Sequence, residues 1–324
     1  MTQRPFVHRD LIIAGAVFVV LSLGAQSGTV DSTDKLPELP GAMLLVGGPP
    51  RSLFLTTEKN TWTLQDNKES LSWIGASISA DGRTVASARL IPGTPFIRGK
   101  MSVVVSTYSM IDHKWTDRNN LEILTGTIAI SRDGENLACV VRERPDMPAG
   151  LRILRLKTGE MRVGPKLKEH SAASLSWSPD SRRIVLSNSW HPVTGAETDF
   201  SIYILDVATG AISKLADGLA ASWAPSGKWI AFVESAGGTR YNKYHLKLIR
   251  PDGTDSRVIM KFESDVIPRL KPVWSPDSQS LLFNVSRDPD EDTWDIYQVD
   301  TETLKNTKRF KNTRVKVYGW VAVD

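Results

Sequence analysis

The chain is poor in residues that often carry chemistry. Among its 324 residues there is one cysteine, Cys139, and there are five histidines. A lone thiol excludes an internal disulfide, and its place within the apolar string NLACVV makes it a small, inert, buried hydrophobe. The G-x-S-x-G elbow of serine hydrolases built on an alpha/beta fold is missing too, and no stretch is left over to form such a domain. A large excess of one charge is also lacking. The formal net charge is +4 and lysine and arginine are scattered, so nucleic acid is not the expected partner. What the chain does have is 41% hydrophobic and 23% charged residues, enough to bury a large core and too apolar for disorder.

The first residues stand apart. Arg4, His8 and Arg9 precede the apolar run 11–23, and Ala25-Gln26-Ser27 follows as a small-x-small site. That order is the order of a secretory signal peptide. The run is short for crossing a bilayer, but extension through Ala25 with tilt would make it an uncleaved anchor. No cysteine stands near its end, which disfavours a lipid anchor. Both readings place the body of the protein in the periplasm or otherwise outside the cytoplasm. Residues 28–41 are polar with two prolines and read as a linker, leaving 42–324 as the folded region.

A single unit recurs through the folded region. Ser79-Ala80-Asp81-Gly82, Ser131-Arg132-Asp133-Gly134, Ser178-Pro179-Asp180-Ser181, Ala224-Pro225-Ser226-Gly227 and Ser275-Pro276-Asp277-Ser278 all have tight-turn chemistry, and they start about 46 to 52 residues apart. Each turn is followed by an apolar strand (TVASA, NLACVV, RIVLS, WIAFV, SLLFN) and then by a third strand such as SIYILD. Trp177, Trp223 and Trp274 stand directly before their turns, and Ile78 and Ile130 hold that place in the other two units. The chain from Met43 opens with three strands and no innermost one. The final VKVYGWVAV supplies it, with Trp320 in the place of the other tryptophans. The expected fold is therefore all-β: a six-bladed propeller of four-stranded antiparallel blades, closed by the C-terminal strand completing the N-terminal blade. Six blades give roughly 47 residues each, in step with the turn spacing, whereas seven would need about 40.

The W-S-P-D-G-like turn, the apolar strand after it and the I-Y-x-x-D strand resemble the TolB-type beta-propeller repeat, over the propeller only. That resemblance implies an exported ring that binds a protein at the channel face. It does not extend to the alpha/beta domain that precedes the blades in that family.

The connections between second and third strands are long and unlike one another, while the turns opposite are short and alike, and variety confined to one face is where recognition is built. The candidate binding residues there are Arg98, Trp190, His191, Arg240, Tyr241 and Arg287, types enriched where partners dock. The expected function is that of a non-catalytic scaffold, monomeric unless it joins an envelope complex, that binds a protein or cell-envelope component without a cofactor. The alternative is a polysaccharide-active enzyme of lyase type with a site at the channel mouth. Propeller lyases hold a metal with several histidines, but His170, His191 and His245 do not occupy equivalent places, so no metal site is assigned. The acidic run 288–292 has carboxylates at alternate positions, yet it lacks the turn glycine and closing glutamate of an EF-hand loop and reads as an exposed acidic loop.

Overall fold

A computed structural model describes residues 42–47, 52–56, 61–65, 73–90, 103–118, 123–141, 150–166, 172–188, 200–237, 243–264, 268, 270–288, 293–313 and 315–322. They form six four-stranded antiparallel sheets. The first blade takes β1 (Ala42–Gly47), β2 (Ser52–Thr56) and β3 (Thr61–Gln65) from one end of the chain and β24 (Lys316–Val321) from the other, in the order β24-β1-β2-β3. The second runs β4 (Trp73–Ile78), β5 (Thr84–Leu90), β6 (Val103–Ser109) and β7 (Lys114–Arg118), and the third β8 (Ile123–Ile130), β9 (Asn136–Val141), β10 (Gly150–Arg155) and β11 (Met161–Lys166). The fourth is β12 (Ala172–Trp177), β13 (Arg183–Asn188), β14 (Ser201–Asp206) and β15 (Ile212–Asp217). The fifth is β16 (Leu219–Trp223), β17 (Ile230–Ser235), β18 (Lys243–Ile249) and β19 (Arg257–Glu263). The sixth is β20 (Val273–Trp274), β21 (Ser280–Asp288), β22 (Thr293–Asp300) and β23 (Asn306–Thr313). The expected split blade and six-blade count are both present.

The apolar pattern explains which strand lies where. Second strands are covered by blades on both sides, so β9 reads as an almost continuous buried run from Leu137 to Val141. Fourth strands form the outer wall and are mostly exposed, as in β15. Cys139 is fully buried in β9 and burial pushes its thiol up to about 12, as expected for an inert core residue.

The seam is fixed by more than its ladder. The Asn284 side chain on β21, itself 1% exposed, donates from Nδ2 to the Val317 carbonyl at 3.2 Å and accepts the Val317 N–H on Oδ1 at 3.1 Å. One buried amide of the sixth blade thereby satisfies both backbone groups of one β24 residue. Gly319, next to the tryptophan of β24, has no room for a side chain, because a Cβ there would stand 2.5 Å from Ile78 Cγ2 on the second blade. The β1–β24 ladder shifts register between Leu44 and Leu45, across from this point.

Candidate functional site

The short turns tie one face of the ring together. In four of them the serine hydroxyl donates to the aspartate two residues on, as from Ser178 to Asp180 and from Ser275 to Asp277. The same serine oxygen accepts the backbone N–H that opens the second strand, and the aspartate accepts the N–H two residues beyond itself. The Ser-x-Asp spacing is thus a local device for closing a strand-to-strand turn. The fourth turn position has a positive φ in every copy. It is glycine in three turns and Ser181 (φ 55°) and Ser278 (φ 64°) in the others. Those two serines return something for the strained backbone: Ser181 Oγ accepts from Asp133 N–H and Ser278 Oγ from Ser226 N–H, each on the preceding blade.

Inward from the turns, the end of each inner strand faces the ring axis. Trp177, Trp223, Trp274 and Trp320 are 3 to 5% exposed. The indole N–H of Trp177 donates to the Ala129 carbonyl at 2.9 Å and that of Trp274 to the Ser222 carbonyl at 3.1 Å, each on the preceding blade. One residue earlier, serine hydroxyls accept in the other direction: Ser77 Oγ takes the Ile130 N–H at 3.1 Å and Ser176 Oγ the Trp223 N–H at 3.0 Å. Blades are therefore latched to their neighbours at the axis by polar groups with assigned partners.

The inner ends line a half-open cavity of about 80 Å³, formed by all six inner strands with Arg132 and Lys271. That volume holds several waters or one small polyatomic group. Lys271, just ahead of Pro272 and the short β20, sends its Nζ 2.8 Å to the carbonyl of Leu175 on the fourth blade, crossing the axis past the fifth. Some of the side chain is open to the cavity, but the ammonium is surrounded by protein, and that desolvation lowers its pKa to about 8. Burial also draws the Arg132 guanidinium below its ordinary pKa. None of the described lining residues is a carboxylate.

A desolvated, unpaired lysine weakens the fold that holds it. The native amine binds its proton less tightly than an unfolded lysine with a pKa near 10.5, so below about pH 8 the whole penalty is present. Between about 8 and 10.5 the unfolded state holds more protons than the native one, and this group's contribution to stability rises with pH. Lys271→Met is expected to raise stability at pH 7 by on the order of 2 kcal/mol, after allowing for the lost Leu175 hydrogen bond. Urea denaturation of both proteins at pH 7 and pH 10 checks this. The gap between them should narrow at the higher pH, and a destabilised methionine variant would contradict it.

Of the residues singled out by the sequence, Arg98, Trp190, His191, Arg240 and Tyr241 lie outside the described residues, as do His170 and 289–292 of the acidic run. Arg287 sits near the end of β21 where the ladder with β22 skips a register between Ser286 and Asp288. His245 lies on β18 with Nδ1 3.8 Å from a Glu234 carboxylate oxygen, while Lys247 holds the other oxygen at 2.9 Å. Among the described residues no three metal-ligating side chains come together. Lys271 and Arg132 were not anticipated, though the repeat carried a signal. Three places before the inner aromatic or isoleucine the other blades have Gly75, Thr127, Ser174, Ala220 and Val317, and at the second turn position they have Ala80, Pro179, Pro225 and Pro276. Each cation is the one charged residue in its column.

No family model matches the chain, and no curated protein does. Solved structures do. TolB from Acinetobacter baumannii superposes with a TM-score of 0.65 at 14% identity, over 86% of this chain and 66% of that one, so the chain spans slightly less than two thirds of its length. Oligogalacturonate lyase in complex with manganese gives 0.52 at 17% identity over 76% and 67%, and a chain of a nidogen/laminin complex gives 0.61 at 13% identity over 87% and 98%. At such identities the likeness is one of fold: a six-bladed propeller close in structure to TolB-type propellers.

Proposed function

We propose that the protein is an extracytoplasmic, non-catalytic propeller that binds a protein or cell-envelope component through the face opposite its short turns. The observation that supports this is topological. The connections β5–β6, β9–β10, β13–β14, β17–β18 and β21–β22 all spring from the strand ends away from the hydrogen-bonded turns. Sequence variety is concentrated in them, whereas the turn face is occupied with holding the ring together. The likeness to TolB and to a nidogen/laminin chain is consistent with a binding role, and the apolar run 11–23 with export.

The test is a double variant, Trp190→Ala with Arg240→Ala. Loop substitutions of this kind should leave stability within about 1 kcal/mol. Capture of the envelope component retained by the parent protein should weaken tenfold or more, which corresponds to about 1.4 kcal/mol. A matching variant on the turn face, Lys228→Ala, should bind as the parent does. Equal capture by all three proteins would remove the loop face as the binding surface. Turnover of an oligogalacturonate-type polysaccharide that disappears on replacing His170 or His191 would favour the lyase reading instead.

A further inference from the structure

The cavity on the ring axis is built for charge of one sign. Lys271 uses one of its three ammonium donors on the Leu175 carbonyl and has no carboxylate partner among the described residues. Arg132 brings a guanidinium to the same cavity, with no ion pair to a described residue. Ser77 and Ser176 each accept a backbone N–H on Oγ, which orients the hydroxyl and leaves its own hydrogen without an assigned acceptor. Both serines line the cavity. Four donor-bearing side chains from four different blades therefore line one half-open cavity. A desolvated ammonium and a partly buried guanidinium with no carboxylate beside them are costly to hold, and a bound anion would offset that imbalance.

We infer that the axial cavity is a binding site for one small oxyanion, a carboxylate or phosphate group, held by Lys271, Arg132 and the hydroxyls of Ser77 and Ser176. This site is independent of the long-loop face. Its cations are fixed by the inner strands and a short turn, and a ligand there would touch four blades at once. Binding would therefore also brace the ring, because a ligand selective for the closed native state raises its stability by mass action.

The experiment uses the full-length protein and two probes, inorganic phosphate and acetate, each titrated against sodium chloride at matched ionic strength while Tm is followed. A saturable rise beyond the chloride control is expected for at least one probe. The apparent Kd should weaken at least tenfold in Lys271→Met and in Arg132→Gln, and stay unchanged in Lys228→Gln, which removes an exposed cation away from the axis. Response to phosphate alone, to acetate alone or to both identifies the oxyanion accepted. No saturable response in the parent protein would overturn the inference. So would an undiminished response in Lys271→Met, a variant expected to fold at least as well as the parent.

Discussion

Removal of the chain from Val315 onward is expected to abolish cooperative unfolding, not merely to lower Tm. The deletion takes away β24, and β1 loses every pairing from Ala42–Val321 to Val46–Lys316. It also exposes the inner edge of β1, whose residues from Ala42 to Val46 are no more than 3% exposed in the intact ring. On the other side of the seam Asn284 loses both Val317 partners and keeps a buried side-chain amide with nothing to bind. Trp320 leaves a core cluster that includes Leu44, Val85, Val273 and Leu282, from three blades. An apolar strand edge next to an opened core is a template for association with other chains. Circular dichroism melts and size-exclusion chromatography check the claim. A truncated protein that stays monomeric and melts in one sharp step would show that the seam is dispensable.

The second large effect is expected at the inner tryptophans. Trp177 lies in a cluster that joins Ala129, Ala138, Val140 and Leu151 of the third blade to Leu175, Ile184 and Leu186 of its own. Trp177→Ala should lower stability by about 3 to 5 kcal/mol, since the site is too hemmed in to collapse around the missing indole. Trp177→Phe separates packing from polarity. It keeps most of the volume but leaves the Ala129 carbonyl without its 2.9 Å donor, and should lose about 1 kcal/mol. Urea denaturation of both variants gives the two numbers. Acrylamide should quench the native tryptophans of these positions poorly, and an alanine variant within about 1 kcal/mol of the parent would refute the packing account.

The architecture was legible because a propeller repeats one solution to one problem. Each of the five continuous blades needs a tight return after its inner strand, so the turn chemistry and the left-handed fourth position recur, and the final Trp320 could be matched by its spacing to Trp274 on the neighbouring blade. Gly319 was less legible. Its neighbours read simply as strand, and only the approach of Ile78 reveals why a side chain is excluded there. The cavity was missed for the opposite reason to the one that made the fold visible. Turns and tryptophans are found by what the blades share, whereas Lys271 and Arg132 matter because one blade departs from the rest. The six binding candidates are a further case: five belong to connections where the repeat stops, and the period that places strands carries no information about positions inside those connections.

Closure has a further consequence for the order in which the ring is assembled. Each ordinary hairpin joins strands separated by about a dozen residues at most, but Ala42 and Val321 are roughly 280 residues apart in the chain. Bringing them together costs about 3 kcal/mol more loop entropy than closing an eight-residue hairpin, although the ladder formed is no longer than the others. Five blades can each complete themselves from contiguous sequence, while the first must wait for the other five to bring its last strand round. The seam blade is then the last to form and the first to open, and its local stability is set as much by chain connectivity as by its own contacts.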